Sequence, residues 1–258
     1  LRDIKPVGAL SSENRHSEHK NEEHVMAPAR VDGVSALRSL PLFHDAQPER
    51  LQRLASAART LTLARGDLLF RAGEPAEGLY TLVKGQIKVF ARADNGQEKV
   101  IEVVAAPACV GESLLCAESL GCADPVAHVS HAAALTEAWV LVVPREALML
   151  EVAADPQLAV RMLADVSGRF NSLVRDIEAV TLHTAAQRVV SYLLRARTSP
   201  APSCTVSLPA SKGTIASLLS VTPEHFSRIL HDLQSRGLIS VQRREILIPD
   251  VQRLAGCV

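Results

Sequence analysis

No run of apolar residues in the 258-residue chain approaches the roughly 18 to 20 that a membrane-spanning helix needs. The beginning also lacks the basic-then-apolar pattern of a secretory signal, so a cytoplasmic protein with no membrane partner is expected. Cysteine is scarce. There are five, an odd number with no C-x-x-C pair, which argues against a disulfide framework and against a structural zinc site and leaves reduced thiols as the default. An excess of either charge is missing too, since 28 basic and 28 acidic side chains cancel. What is present, 47% apolar and 22% charged residues, is the profile of a globular protein with a core of ordinary size, and it excludes disorder as the whole answer.

The neutral total hides an uneven distribution. Residues 1–30 carry 5 basic and 5 acidic side chains, 31–181 carry 14 and 19, and 182–258 carry 9 and 4, giving net charges of 0, −5 and +5. A basic C-terminal third on an acidic body points to an anionic partner at that end. Residues 1–35 are expected to be a disordered tail, because residues 1–30 are rich in Ser, Asn, Glu and Lys and show almost no apolar periodicity. Its His16, His19 and His24 fit a solvated linker better than a tag or metal tract, since nothing orders them. The first residue is Leu, so the true start is read as either Leu1 or Met26.

From about residue 40 the pattern becomes structured, and residues 36–153 are expected to form one domain. A short helix is predicted over Pro48–Ala58 with Leu51 and Leu54 on one face. The period then changes to two. Strands are predicted at Leu61–Leu63, Asp67–Arg71, Gly78–Val83, Gln86–Ala91, Gln97–Val104 and Trp139–Val143, punctuated by Gly66, Gly73, Gly85, Gly96 and Gly111. Asp94-Asn95-Gly96 is a hairpin signal, because Asn and Gly tolerate the positive φ such turns need. Short, regularly spaced strands with glycine corners imply a β-roll or barrel.

Asp155-Pro156 pairs an N-cap residue with a proline suited to the first helical position, and a long helix is expected within residues 154–182. Along it Leu163, Val166, Phe170, Leu173, Ile177 and Val180 alternate spacings of three and four, the seam of a coiled coil. A helix packed on its own barrel would also carry an apolar stripe, but a seam this strict over about 25 residues favours pairing with a second copy. These six residues are the expected interface of a homodimer.

A second helix is predicted over Thr184–Arg197, then a loop at Thr198–Ser203. Ser211 to Leu230 fit two short apolar-faced helices broken at Leu219–Val221, with Thr222 as N-cap and Pro223 as first residue of the second. That is helix-turn-helix geometry, placed within a DNA-binding domain over residues 183–258. Ile215, Ala216, Val221, Phe226, Ile229 and Leu233 would bury, leaving Glu224, His225, Ser227, Arg228 and His231 on other faces. Leu238–Val241 and Glu245–Pro249, joined across Gln242-Arg243-Arg244, read as a hairpin wing whose arginines suit phosphate contact. Near the start of a reading helix Glu224 can accept from cytosine N4, Arg228 can donate to guanine O6 and N7, and Ser227 can bond or pack on thymine. Thr222, His225 and Lys212, with Arg243 and Arg244, complete the expected contact set. Alternatively Glu224 and Arg228, four apart, form a surface ion pair worth a few tenths of a kcal/mol. The positive domain, the cap and the wing favour double-stranded DNA.

A roll containing Gly-Glu-Pro-Ala-Glu-Gly-Leu-Tyr (73–80), Val-Lys-Gly-Gln-Ile-Lys-Val (83–89) and Val-Gly-Glu-Ser (110–113), then a long helix and a winged helix-turn-helix, resembles the Crp/Fnr superfamily of bacterial transcription regulators over residues 40–255. The resemblance implies an α+β chain: a cyclic-nucleotide-binding-type β-roll (jelly roll), a dimerisation helix and a C-terminal winged helix-turn-helix on palindromic DNA, with RNA polymerase as a partner. It places an effector pocket at Gly111, Glu112, Ser113, His128 and His131. Glu224-x-x-Ser227-Arg228 resembles the signature of the Fnr-type branch, which reads TTGAT and its inverted copy ATCAA four bases apart. Regulators of the cyclic-AMP receptor type carry an Arg where this chain has Pro223, so their TGTGA half-site is not expected.

The same resemblance bears on the signal. A cyclic-nucleotide site in this family grips the phosphate with an Arg-Ser or Arg-Thr pair, a charged fork plus a hydroxyl. Alignment puts His128-Val129 there, so cyclic AMP is not expected. Oxygen-sensing Fnr proteins hold an iron–sulfur cluster through N-terminal cysteines; none here precedes Cys109, and no cluster is expected. The stretch His183-Thr184-Ala185-Ala186-Gln187-Arg188-Val189-Val190-Ser191-Tyr192-Leu193-Leu194, with the Glu-x-x-Ser-Arg helix, is close to the Dnr-type branch, regulators of denitrification that sense nitric oxide through haem. Haem iron takes a His, Cys, Met or Tyr ligand beside an apolar pocket, which makes His128, His131, His183 and Cys116 the candidates. Cys109, Cys116 and Cys122 could instead form a redox switch, or the roll could take another small ligand.

Two other classes are weaker. A cupin-type enzyme needs a closely spaced His-x-His with a later Glu and His, whereas His128 and His131 are three apart and on a strand would face opposite sides. No catalytic cluster emerges, and no enzyme is expected. A nucleotide-binding regulatory subunit would share the roll but not the winged module at 205–250. An effector in the roll is expected to bias how two long helices pack and so to re-aim the reading helices.

Overall fold

The structure is a computed structural model that describes residues 32–111 and 127–257. Most of the expected tail (residues 1–31), together with Glu112, Ser113, Cys116 and Cys122, lies outside the described residues.

Residues 33–35, expected within the tail, are helical. Asp32 caps α1 (Gly33–Arg38) by accepting from the Val34 N–H, a 3-10 turn follows at Pro41–Phe43, and α2 (Pro48–Ala57) starts on its proline. Leu37, Leu40, Phe43, Leu51 and Leu54 are fully buried and pack together against Leu79, Leu141 and Val143 of the roll. The predicted spacing of Leu51 and Leu54 thus serves as the docking stripe of α2.

Eight strands make the roll: β1 (Arg59–Leu63), β2 (Leu68–Phe70), β3 (Gly78–Lys84), β4 (Gln86–Arg92), β5 (Glu98–Ala105), β6 (Ala108–Val110), β7 (His131–Ala134) and β8 (Ala138–Pro144). They form two antiparallel sheets, ordered β1-β8-β3-β6 and β2-β7-β4-β5. Alternation along β3 shows the period of two at work: Tyr80 and Leu82 enter the core between the sheets, while Leu79 faces the helices. Gly85, between β3 and β4, has φ +92°, and a Cβ there would stand 2.3 Å from the Glu137 carbonyl oxygen, so only glycine fits this corner. Two strands of the roll carry no pattern in the sequence that marks them. β6 is three residues long, and β7 is His-Ala-Ala-Ala, a composition with little strand preference that is held as a strand by β2 on one side and β4 on the other.

Helix α3 (Arg145–Ala154), likewise unmarked, leads into α4 (Pro156–Leu182), where Asp155 caps by accepting from the Gln157 N–H at 3.0 Å. An ionic cluster ties this corner together. Glu151 accepts from Arg53 at 2.7 and 2.9 Å, Arg50 approaches the same carboxylate to 3.1 Å and also bonds Asp155, and Arg161 reaches Asp155 at 3.3 Å. Leu158 and Met162 bury on the roll; further along, Arg169 donates to the Cys109 carbonyl and pairs with Glu102. Among the described residues no helix is long and apolar enough to cross a membrane.

His183 and Thr184 are extended and break α4 from α5 (Ala185–Arg195), whose capping box is Thr184 with Gln187. Then come β9 (Cys204–Ser207), α6 (Lys212–Leu218), α7 (Pro223–Ser235), β10 (Ser240–Gln242), β11 (Glu245–Ile248) and α8 (Val251–Ala255), with the three strands in one sheet ordered β10-β11-β9. Their core gathers Val189, Val190, Leu193, Ile215, Phe226 and Ile246. Val221 is half-buried rather than buried as expected, because it lies in the turn ahead of the α7 cap. The expected strand at Leu238–Val241 begins only at Ser240; Leu238 and Ile239 are spent on the core.

Candidate DNA-reading surface and effector pocket

Local rules fix the reading helix. Thr222 accepts from the His225 N–H at 3.2 Å and Pro223 takes the first position, so α7 starts at one defined residue. Phe226, Ile229, Leu230 and Leu233, spaced i, i+3, i+4, i+7, bury and set its rotation. Glu224, His225, Ser227, Arg228 and His231 are consequently exposed. Glu224 and Arg228 do not pair with each other, and neither has an ion-pair or hydrogen-bond partner among the described residues. Their polar ends are therefore free to meet a ligand.

Helix α6 is capped by Ser211, which accepts from the Thr214 N–H at 3.1 Å, and Lys212 sits half-buried at its first position. The turn into α7 passes through Ser220 at φ +55°, a left-handed conformation. Arg188 of α5 holds that turn: its guanidinium donates to the carbonyls of Leu219 at 2.9 Å, Ser220 at 3.2 Å and His183 at 2.7 Å. Nothing local in the sequence marks Arg188 for this role, because its acceptors Leu219 and Ser220 lie 31 and 32 residues away. The wing turn consists of Arg243, with φ +55°, and Arg244; both are exposed, and the Leu208 N–H donates to the Arg244 carbonyl at 2.8 Å.

On the roll, His128 is only 3% exposed. Its ring stacks on Phe70 at 3.7 Å between centroids and 7° between planes, with Tyr80 5.7 Å away, and its Nε2 is buried without a hydrogen-bond partner. Burial pushes its pKa below the ordinary value, against the pull of Glu74 and Glu77, so the ring is neutral at pH 7. Its backbone is pinned by Gly73-Glu74: the His128 N–H donates to the Glu74 carbonyl at 2.9 Å, and the Gly73 N–H donates to the His128 carbonyl at 2.8 Å. Gly111, with φ +88°, lies against Tyr80 so closely that a Cβ would stand 2.8 Å from its ring.

His128 lies just ahead of β7, so the two histidines do not share a strand. Val129, beside it, is 88% exposed. His131 opens β7, half-buried, with its ring 5.2 Å from Phe90 and its Nδ1 accepting from the Ala72 N–H at 3.3 Å. The two histidines thus flank the Arg71–Glu74 turn. His183 is exposed at the C-cap of α4, among residues of α4 and α5, and does not join them. Among the described residues no group of three or more His, Cys, Asp or Glu is placed to hold a metal ion.

A β-roll joined through one long helix to a winged helix-turn-helix with an open reading helix defines a class of regulator. Residues 60–154 match the cyclic nucleotide-binding domain family, and residues 187–257 match the Crp-like helix-turn-helix domain family. The global nitrogen regulator of Synechococcus elongatus is 30% identical over 189 residues, 71% of this chain and 82% of that protein. The CRP-like cAMP-activated global transcriptional regulator of Mycobacterium tuberculosis is 25% identical over 218 residues, 83% and 94%. The solved structure of FixK2 from Bradyrhizobium japonicum shares the fold, with a TM-score of 0.66 and 24% identity over 77% of this chain and 96% of that one. The chain belongs to the Crp/Fnr family of DNA-binding transcription regulators.

Proposed function

We propose that two copies pair through α4 and read TTGAT-N4-ATCAA palindromes with α7, under control of nitric oxide sensed through haem in the roll. The observation that carries the DNA reading is the set of unpaired, exposed polar groups on the first two turns of α7: Glu224 for cytosine N4, Arg228 for guanine, Ser227 for thymine. Thr222, His225, Lys212, Arg243 and Arg244 serve the phosphates around it. Pairing is supported by Leu163, Val166, Phe170, Leu173, Ile177 and Val180, which are 40 to 67% exposed in the single chain and form one stripe. The chain works in the cytoplasm with RNA polymerase, on genes of denitrification, the assignment its resemblance to the Dnr-type branch supports. Selection from a pool of randomised duplexes tests the half-site. Enrichment of TTGAT-N4-ATCAA is expected, and recovery of TGTGA repeats would overturn it.

For the signal, His128 suits a haem ligand among the described residues. Its nitrogen is buried, unpartnered and neutral, and Phe70 fixes the plane of the ring. His131 spends Nδ1 on Ala72, and His183 lies in the open. When bound, haem supplies an iron that takes nitric oxide. The pair at 128–129 offers a cyclic phosphate neither a cation nor a hydroxyl. Absorption spectra of the protein with ferrous haem under anaerobic conditions, before and after nitric oxide, test this reading. A sharp protein-ligated band that shifts with nitric oxide and is lost in His128→Ala is expected; a spectrum equal to free haem would overturn it and turn attention to thiol oxidation or another ligand.

A further inference from the structure

Helix α7 carries two histidines, and its geometry puts only one of them on the reading face. At about 3.6 residues per turn, Ser227, His231 and Arg228 stand about −60°, −20° and +40° from Glu224 around the axis, one arc about 100° wide. Phe226 and Leu233, which bury, lie on the opposite side, so the middle of that arc points away from the domain core. Glu224 and His231 share that middle, two turns apart. His225 is about 100° from Glu224 and only about 40° from the buried Ile229, which places it on the flank of the helix.

His231 is exposed, and among the described residues it has no hydrogen-bond or ion-pair partner. The polar residues that follow it are engaged. Asp232 pairs with Arg236 at 3.5 Å, Gln234 accepts from the Val241 N–H at 3.1 Å, and Ser235 Oγ donates to the Asp232 carbonyl at 2.8 Å. Past Arg228, His231 is therefore the side chain of α7 with its polar end left for a ligand.

Helical rise sets where that end would fall. At about 1.5 Å per residue His231 lies about 10.5 Å along the axis from Glu224, the length of about three base pairs. With Glu224 on the cytosine of the G–C pair in TTGAT, three pairs away is either the pair just outside the half-site or the first pair of the spacer, according to the direction in which α7 runs. A neutral imidazole offers one N–H donor, and every purine presents N7 as an acceptor in the major groove.

We propose that His231 is a further specificity-determining residue, donating to the N7 of a purine about three base pairs from the pair that Glu224 reads, so that each half-site holds one more specified pair than TTGAT. The inference rests on the DNA-reading role of α7 and is independent of which effector acts.

The full-length wild type, His231→Ala, His225→Ala and Glu224→Ala are each used to select from duplexes carrying TTGAT-N4-ATCAA in which the G–C pairs, the spacer and the outer flanks are randomised. Affinities of the selected duplexes are then measured by fluorescence anisotropy at one salt concentration. Alanine suits an exposed helix position, so His231→Ala is expected to melt like the wild type. The wild type is expected to prefer a purine at one of the two positions by about threefold to tenfold, in both halves. His231→Ala is expected to lose that preference and keep the G–C preference, whereas His225→Ala weakens every duplex alike and keeps both. A wild type with no preference at either position would overturn the proposal. So would uniformly weaker binding by His231→Ala with an unchanged base profile, which would make His231 a phosphate contact. If Glu224→Ala alters the G–C position and His231→Ala alters nothing, this inference fails alone; if neither variant alters the profile, the reading role of α7 fails with it.

Discussion

Replacing Glu151 tests what anchors the long helix. The residue is 5% exposed, and its carboxylate takes two hydrogen bonds from Arg53 and an ion-pair contact from Arg50, and through Arg50 and Asp155 fastens the start of α4 to α2. Losing one partner of a fully buried pair costs about 3 to 5 kcal/mol, whereas an exposed pair is worth under about 1. Arg53 is largely exposed and regains water; Arg50 is 14% exposed but keeps Asp155. The expected cost is intermediate: about 2 kcal/mol for Glu151→Ala and about 1 kcal/mol for Glu151→Gln, which retains one acceptor. Arg53's hydrogen bonds hold the Glu151 pKa below its ordinary 4.5. A carboxylate with a depressed folded-state pKa stabilises fully above its unfolded value and loses that contribution as pH falls through the folded one. The gap between wild type and Glu151→Gln in urea unfolding should therefore be constant from pH 6 to 8 and narrow below about pH 4.5. Equal stabilities at pH 7, or a gap unchanged at pH 3, would refute the reasoning.

If α4 pairs two copies as proposed, light scattering should find the wild type a dimer and Phe170→Glu a folded monomer at the same concentration, because Phe170 is 64% exposed and the exchange should change monomer stability by less than about 0.5 kcal/mol; a dimer of unchanged affinity would remove α4 as the interface. Gly85→Ala should cost at least about 2 kcal/mol in urea unfolding, since the added Cβ meets a backbone oxygen at 2.3 Å and φ is +92°, and a loss below about 0.5 would contradict the corner geometry.

Legibility followed the range of the determining contacts. Helix α7 announces itself within a dozen residues, through Thr222, Pro223 and the spacing of Phe226, Ile229, Leu230 and Leu233, so its exposed face could be read in advance. The seam of α4 is similarly local. Strand β7 could not be read this way, because an alanine run takes its conformation from the neighbouring strands β2 and β4. Lys99, which donates to the Ser217 carbonyl, lies 118 residues from it, and Arg53 and Glu151 are 98 apart. No periodicity records such pairs. His128 was singled out by alignment with the family's phosphate fork, but its burial against Phe70 and its unpartnered nitrogen come from tertiary packing alone.

The most direct test of the DNA-reading account is the affinity of wild type and Glu224→Ala for TTGAT-N4-ATCAA and for duplexes in which the G–C pair of each half-site is changed, at one fixed salt concentration. The wild type should discriminate against the change by about 1 to 3 kcal/mol per half-site, and Glu224→Ala should lose most of that discrimination while keeping its salt dependence. Equal discrimination by the two proteins would contradict the assignment of Glu224 to the cytosine and with it the reading role given to α7.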